Sequence, residues 1–195
     1  MQKLLKDHRA KIILWVIGAI FIGFWADAAW RNSLHVLERS VHVSFERYKE
    51  ALIQRASILP PIIQLLKNAA PQEQALAQEL IQNYEYAMRY LPPEQMLSEA
   101  KLAAEYTQLQ TAIVISMIKV QKMAHNYPAL EKNQEYDELI DKWNYLNILV
   151  ASQEGILNKY ISLYNHHIDD FPINVYNKIF YRYSLKIPSK IPTTG

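Results

Sequence analysis

The sequence predicts an all-α protein, in which an N-terminal transmembrane helix continues into an up-down antiparallel four-helix bundle. Over long stretches, apolar residues recur at steps of three and four, which is the spacing of one helix face. Only 4 of the 195 residues are glycine, so few positions favour sharp turns. No useful length of chain alternates apolar and polar residues as a half-buried strand does. Together these patterns indicate long helices around one core.

The composition narrows the chemistry before any motif is considered. Cysteine is absent, which excludes disulfides, zinc–thiolate sites and thiol catalysis. The net charge of +2 is unevenly spread, because residues 1–11 carry +3 and residues 173–195 carry +4, which leaves −5 on residues 12–172. An acidic body is a poor surface for nucleic acid, so we expect no nucleic-acid partner.

Residues 12–30 form the most apolar part of the chain, with Asp27 as their only charge. A helix of this length spans roughly 28 Å, about the thickness of the hydrocarbon core of a bilayer. Trp15 lies near one end, and Trp25 and Trp30 lie near the other, where we expect them at the membrane interfaces. The alternative is a cleaved signal peptide with a small-residue cleavage site around Asp27.

Basic residues are concentrated on the N-terminal side of this segment. Four lie in the basic N-terminal segment 1–11, whereas only Arg31 and Arg39 follow the apolar residues closely. By the positive-inside rule, the N-terminus is cytoplasmic and the bundle lies outside the cytoplasm. We therefore expect a single-pass membrane protein whose transmembrane helix is at 12–30.

Three amphipathic helices are predicted to follow the membrane segment. The first continues from it with coiled-coil-like spacing. Pro60 and Pro61 predict a kink or a restart of this helix near Ser57, since two prolines remove two backbone donors and crowd the preceding turn. The second helix is predicted at about 72–90 and the third at about 94–126, with prolines before each start.

The longest uninterrupted pattern predicts a fourth helix, which begins near Asn133. Its apolar stripe consists of Tyr136, Leu139, Trp143, Leu146, Val150, Leu157, Tyr160, Tyr164, Ile168 and Phe171. Four amphipathic helices with short connections favour an up-down-up-down bundle, in which the fourth helix returns towards the membrane. A three-helix arrangement, with collinear second and third helices, would instead send the chain end to the far side.

Two ordered groups of residues resemble the pattern of a known family. The C-terminal group is Tyr127, Pro128, Ala129, Leu130, Asn133, Tyr136, Glu138, Leu139, Ala151, Asn158, Tyr164, Asn165, Ile168, Phe171 and Pro172. The juxtamembrane group is Asn32, Leu34, Val41, Phe45, Leu52, Arg55, Ile58, Leu59 and Pro60. In this order they resemble the LemA family. The sequence departs from the family pattern at Ser57, which replaces an acidic residue, and at Asn147 and Glu154, which replace a glutamate and an arginine.

The resemblance implies a single-pass protein of the bacterial cytoplasmic (inner) membrane, with a LemA-like helical bundle at 31–172. It implies no established activity. Members of the family are associated with organelle membranes and with a membrane metalloprotease, which points towards assembly or quality control at the cell envelope.

We predict no catalytic, cofactor-binding or metal-binding residue and expect the protein not to be an enzyme. His35, Glu38 and His42 share a helix face, but a metal would need a further ligand, so a solvated polar face is favoured. The acidic pair at 169–170 follows His166 by three and four residues, a spacing that favours a surface ion pair. Di-iron Glu-x-x-His pairs, His-Glu-x-x-His, glycine-rich phosphate loops and Gly-x-Ser-x-Gly are all absent from the sequence.

The C-terminal tail, residues 173–195, is basic and aromatic. In a helix, Lys178 and Arg182 would lie on a different side from the apolar residues, as in helices that lie on a membrane surface. We expect Lys178, Phe180 and Arg182 at the membrane interface; the alternative is that the tail caps the bundle. Residues 185–195 contain two prolines and are predicted to be disordered.

These observations predict a non-catalytic, membrane-anchored scaffold or interaction module at the bacterial cell envelope, without a cofactor. Its expected partners are the membrane, other membrane or envelope proteins, and further copies in a homo-oligomer. The alternative is a sensor or regulator of another membrane protein such as a protease, in which the kink at Pro60 and Pro61 changes shape. A metal-dependent enzyme that uses the histidines is the third hypothesis.

Overall fold

The computed structural model describes residues 2–170, 173–180 and 184–186 of the chain, and these residues are almost entirely helical, with no strand among them. The helices are α1 (Gln2–Ala56), α2 (Leu59–Ala69), α3 (Gln74–Arg89), α4 (Ala100–Ala124), α5 (Pro128–Glu131), α6 (Gln134–Asp169) and α7 (Ile173–Phe180). Two 3₁₀ turns, Pro71–Glu73 and Glu94–Leu97, precede α3 and α4. The predicted all-α class is confirmed.

The break between α1 and α2 lies at Ser57 and Ile58. Pro60 and Pro61 occupy the first turn of α2, where a missing backbone N–H costs least. The backbone bonds across the break are long, at 3.4 Å from Ile58 N to Arg55 O. Because the chain continues in the next helix after a two-residue turn, α1 and α2 together take the place of the first predicted helix.

Helix α6 packs along α1 and runs antiparallel to it. Ser33 Oγ lies 2.6 Å from His167 Nε2, and Arg55 Nη1 donates to Asn147 Oδ1 at 3.1 Å. Residues with higher sequence numbers on α1 thus contact residues with lower sequence numbers on α6. The C-terminal end of α6 therefore lies beside the start of the bundle in α1, as the up-down arrangement predicts.

The two middle helices follow the same alternation. In the α3–α4 pair, Glu79 contacts Lys119 and Asn83 contacts Ser116, so these helices are antiparallel. Helix α4 runs parallel to α1, because Glu94 just before α4 lies near the middle of α1, and Gln110 lies farther along beside Arg55. The long helices thus alternate in direction around the bundle.

The third predicted helix begins later than expected. The α-helix starts at Ala100 rather than at Glu94, and residues 94–97 form a 3₁₀ turn. This turn buries Met96 and Leu97, and the extended backbone of Glu99 separates it from α4. The wrong boundary has a physical cause, since burial of two apolar side chains in a tight turn outweighs helix propensity.

The start of α6 is confirmed at the predicted position. Asn133 has extended backbone, and its side-chain Oδ1 accepts a hydrogen bond from Tyr136 N at 3.1 Å. Glu135 and Asp137 lie in the first turn, where their charges suit the positive end of the helix dipole. This cap fixes the residue at which α6 begins.

One core extends through the bundle. Its most buried large side chains come from α1, α2, α3, α4 and α6: Leu34, Phe45, Tyr48, Leu59, Ile62, Leu66, Leu80, Ile113, Trp143 and Tyr164. Each such side chain contributes about 1.5–3 kcal/mol through burial. Most of the predicted stripe of α6 faces this core, which explains why α6 lies against α1 over most of its bundle length.

The chain returns to α6 after α7. Asn165 Nδ2 donates to Lys186 O, and Lys186 N donates to Asn165 Oδ1, both at 2.8 Å. Lys186 Nζ also lies 5.9 Å from the ring centroid of Tyr164. Lys186 lies in the part of the tail that is predicted to be disordered, and its backbone bonds with an asparagine side chain. Residues 187–195 lie outside the described residues.

The predicted transmembrane helix at 12–30 lies within α1. In the part of the chain that the structure describes, no helix meets the length and apolarity that crossing a membrane requires. Seven side chains of this segment, at 19, 20, 22–24, 26 and 27, lie outside the description. The fold therefore leaves the transmembrane part of the predicted architecture without support.

A pH-dependent contribution to stability is expected from the α3–α4 contact. Hydrogen bonds from Lys119, at 2.9 Å, and from Ser116, at 2.7 Å, hold the pKa of Glu79 below its usual 4.5. A carboxylate whose pKa is lower in the folded protein than in the unfolded chain stabilises the fold at pH values above its unfolded-state pKa. This stabilisation is lost as the pH falls through its folded-state pKa. Since Glu79 is 39% exposed, we expect less than about 1 kcal/mol.

Glu79→Gln should therefore lower the free energy of unfolding at pH 7 and reduce the difference in stability between pH 7 and pH 3. Urea unfolding at both pH values, followed by circular dichroism, measures this. Glu105→Gln is the matched control, because Glu105 lies on α4 and is 3.8 Å from Lys101 in an exposed pair. Equal pH dependence in the two variants would contradict the prediction.

Candidate functional site

A buried arginine lies at the centre of the bundle. Arg55 is in the last turn of α1, and only 1% of its surface is exposed. An unpaired buried guanidinium is very unfavourable, so its surroundings must supply hydrogen bonds and negative charge. Arg55 and the groups around it therefore form a candidate site that organises the bundle.

Two amides from two other helices bind the guanidinium. Nη1 donates to Asn147 Oδ1 of α6 at 3.1 Å, and Nη2 donates to Gln110 Oε1 of α4. The guanidinium carbon lies 5.6 Å from the ring centroid of Trp143, in reach of a cation–π interaction. Three helices thus meet at a single side chain, which we call the Arg55 cluster.

Burial and the neighbouring polar groups have opposite effects on the pKa of Arg55. Burial lowers the pKa of Arg55, while Tyr48, Tyr106 and Glu154 act in the opposite direction. Arginine nevertheless remains protonated in proteins. Glu154, itself buried on α6, is the carboxylate that compensates its charge.

Tyr106 is a neutral member of this cluster. Burial raises the pKa of its phenol well above the usual 10, although Arg55 and a hydrogen bond with Gln110 lower it. The phenol therefore stays protonated at neutral pH. Gln110 links Arg55 to Tyr106, so the polar contacts extend from the bundle centre along α4.

Tyr106 also faces a surface groove between α3 and α4. The groove has a volume of about 310 Å³ and is lined by Tyr86, Arg89, Tyr90, Leu91, Pro93, Leu102, Glu105, Tyr106 and Leu109. The rings of Tyr86 and Tyr90 lie 4.4 Å apart on its rim, and both side chains are about half exposed. Tyr106 therefore lines the groove and also lies close enough to Arg55 to feel its charge.

The sequence contained part of this site. Arg55, Asn147 and Glu154 all fall on apolar seams, Arg55 seven residues after Tyr48 and Glu154 four residues after Val150. A polar residue in a core register is a signal for a buried network. Asn147 and Glu154 were expected only to be departures from a family pattern, and their position in one cluster with Arg55 was not predicted.

The predicted membrane-interface residues are separate from this cluster. Trp15 and Trp25 on α1 are 81% and 66% exposed, and Trp30 is partly buried. Lys178 is exposed on α7, while the side chain of Phe180 and the whole of Arg182, the other two predicted interface residues, lie outside the described residues.

The histidines lie in pairwise contacts. His35 lies 3.7 Å from Glu38, and His166 lies 3.7 Å from Asp170. His42 instead contacts Glu94, at 3.2 Å. Among the described residues, no three histidine or acidic side chains lie together in a group that could hold a metal ion. The α1–α6 contact of His167 with Ser33 was not predicted.

The Arg55 cluster can fix the packing of helices. Its donors and acceptors are arginine, amides, phenols and one carboxylate, and they come from α1, α4 and α6. Among the described residues, no group accepts a hydrogen bond from the buried Nδ2 of Asn147. A cluster with this composition orients α1, α4 and α6 relative to one another.

Removal of the arginine should destabilise the bundle. In Arg55→Ala the buried carboxylate and the amides lose their partner, so we expect a loss of about 3–5 kcal/mol in the free energy of unfolding. Arg55→Lys should lose less, because an ammonium keeps the charge but cannot make both directed bonds. Chemical unfolding of the full chain in mild detergent measures the difference.

The matched control is Arg47→Ala, eight residues earlier on the exposed face of α1. It should change stability by no more than about 0.5 kcal/mol. If Arg55→Ala and Arg47→Ala unfold at the same denaturant concentration, the Arg55 cluster does not organise the bundle.

Comparison with known proteins places this fold in a family. No curated protein matches the chain significantly. The model of the LemA family matches residues 44–186, which is more than half of the chain. The match begins in the bundle part of α1, includes every member of the Arg55 cluster, and ends at Lys186, where the backbone returns to α6. The resemblance seen in the sequence is confirmed, and the chain belongs to the LemA family.

Proposed function

We propose that this LemA-family protein is a non-catalytic scaffold, held in the bacterial cytoplasmic membrane by the N-terminal part of α1, that presents its bundle to other envelope proteins. One observation carries the proposal: the six consecutive side chains at 12–17 are all more than half exposed, and all are large and apolar. Six successive residues point to every side of a helix. This part of α1 is therefore uncovered on all sides, which is unfavourable in water.

The position of this apolar part relative to the bundle supports an anchor. Phe21 and Trp25 continue the exposed apolar surface along α1, and the same helix becomes buried from Leu34 onwards. The change from exposed to buried apolar side chains thus occurs within one continuous helix. An anchor joined in this way holds the bundle close to the surface in which it inserts.

The direction of insertion follows from charge. Four basic residues lie in 1–11, before the apolar part, and only Arg31 and Arg39 follow closely, so the cytoplasmic side is the N-terminal side. The bundle is then outside the cytoplasm. A C-terminal fusion to a reporter that works only in the cytoplasm should be inactive; an active fusion would reverse this orientation.

A second role, regulation of another membrane protein, is favoured by the break after α1. Ser57 and Ile58 interrupt the helix two residues beyond Arg55, and Ile62 N lies 3.5 Å from Ile58 O in a long bond. A partner that bound α2 could move it about this break. Crosslinking in native membranes, with identification of the captured proteins, tests both roles; self-contacts alone would leave a scaffold for other proteins without support.

Membrane anchoring gives a direct prediction. The full chain should remain with the membrane pellet after extraction with alkaline carbonate. Two charges in the apolar part, Ile17→Lys with Phe21→Lys, should release most of it, since each lysine at the centre of a membrane helix costs about 2.5–3.5 kcal/mol.

The matched control is Val36→Lys with Val43→Lys, which changes two exposed apolar side chains of the same helix outside the apolar part. It should stay in the pellet. Extraction of the unchanged chain into the supernatant would contradict anchoring. The intact mass of the purified protein separates an anchor, which is retained, from a cleaved signal peptide.

A further inference from the structure

The outward face of α6 carries an exposed row of side chains with symmetric spacing. Its members follow one another at steps of three or four residues, and all are exposed. We name it the outer stripe, and it consists of Glu138, Asp141, Tyr145, Ile148, Ser152, Ile156, Lys159, Leu163 and His166. Counted from Ser152, the other members lie 4, 7, 11 and 14 residues away in both directions. The stripe therefore matches its own spacing when the helix is reversed.

The middle of the outer stripe is mostly apolar although it is exposed. Tyr145 and Ile148 are 64% and 70% exposed, and Ile156 and Leu163 are 37% and 43% exposed. These side chains extend over five turns of one helix, with the small Ser152 at the centre. A mostly apolar exposed row, with charged residues at its ends and one lysine, Lys159, within it, is typical of a surface that pairs with another helix.

We propose that α6 pairs antiparallel with α6 of a second copy of this chain, about a two-fold axis at Ser152. In this arrangement Ser152 faces the partner's Ser152, and Ile148 faces the partner's Ile156. The contact is the same on both copies, as a two-fold interface requires. The reversed spacing of the stripe brings each member opposite another member rather than into a gap.

The charges on the stripe select the antiparallel direction. Glu138 faces the partner's His166, and Tyr145 faces the partner's Lys159, which allows a cation–π interaction. A parallel pair would place Glu138, Asp141 and Lys159 each against its own copy. Three like-charge contacts on one face disfavour that direction.

The size of the contact predicts a weak interaction. A single pair of helices buries less than the roughly 1,200 Å² that a stable complex usually buries. Gly155 lies beside the stripe, and a Cβ placed on it would meet no atom within 4 Å. The two α6 helices can approach closely at Gly155, because glycine has no side chain. Because the contact is small, the pair is best detected by covalent trapping rather than as a stable dimer in solution.

The antiparallel pairing also fixes the orientation of the two copies relative to each other. Because α1 is antiparallel to α6, the N-terminal parts of α1 point in opposite directions from the pair. The pairing does not depend on membrane anchoring.

Single cysteines test the proposal cleanly, because the natural chain has none. The purified full-length variants, in mild detergent, are oxidised to form disulfides. Ser152→Cys should crosslink to itself. A mixture of Tyr145→Cys and Lys159→Cys, carrying tags of different size, should give a mixed crosslink at least fivefold above the self-crosslinks of either variant. Addition of Ile148→Glu to Ser152→Cys should reduce its crosslinking at least fivefold.

The matched control is Ile115→Cys, a 47% exposed apolar position on α4. The proposal is overturned if Ser152→Cys crosslinks no more than Ile115→Cys. It is also overturned if Tyr145→Cys and Lys159→Cys crosslink with themselves as strongly as with each other, which is the parallel result. Failure of membrane anchoring would leave these crosslinks unchanged, so the two proposals fail separately.

Discussion

The burial of one positive charge constrains the whole bundle. Arg55 cannot stay buried unless α4 supplies Gln110 and α6 supplies Asn147, with Glu154 nearby as the compensating carboxylate. A slide of α6 by one turn would move Asn147 by about 5.4 Å and remove its bond to Arg55. Apolar packing alone tolerates such a shift much better, because one buried side chain can replace another. The cluster thus selects one register among several that the core would accept.

The same register decides what α6 shows to its surroundings. Residues 143, 147, 150, 154 and 157 face inwards around the cluster, so residues 145, 148, 152, 156 and 159 face outwards. The cap by Asn133 and the bonds from Asn165 to Lys186 hold the two ends of this helix. The outward face is therefore presented by a helix that is fixed at its beginning, middle and end.

Local patterns in the sequence predicted most of the helices but not the contacts between them. The proline pair, the asparagine cap and the three-and-four spacing each act within one turn, so the break after Ala56 and the start at Gln134 agree with expectation. The 3₁₀ turn at Glu94–Leu97 was missed because burial by distant residues decides it. The contacts of Arg55 with Asn147 and of Ser33 with His167 were also missed. The two residues of each contact are 92 and 134 positions apart in the sequence, respectively.

Helix α1 has 55 residues without a break, which corresponds to about 83 Å. It therefore acts as a stiff rod with the apolar residues near one end and Arg55 at the other. No break in α1 divides these two ends. A tilt or twist of the apolar end would be carried along α1 towards the buried guanidinium, and the first break in the helix lies at Ser57 and Ile58.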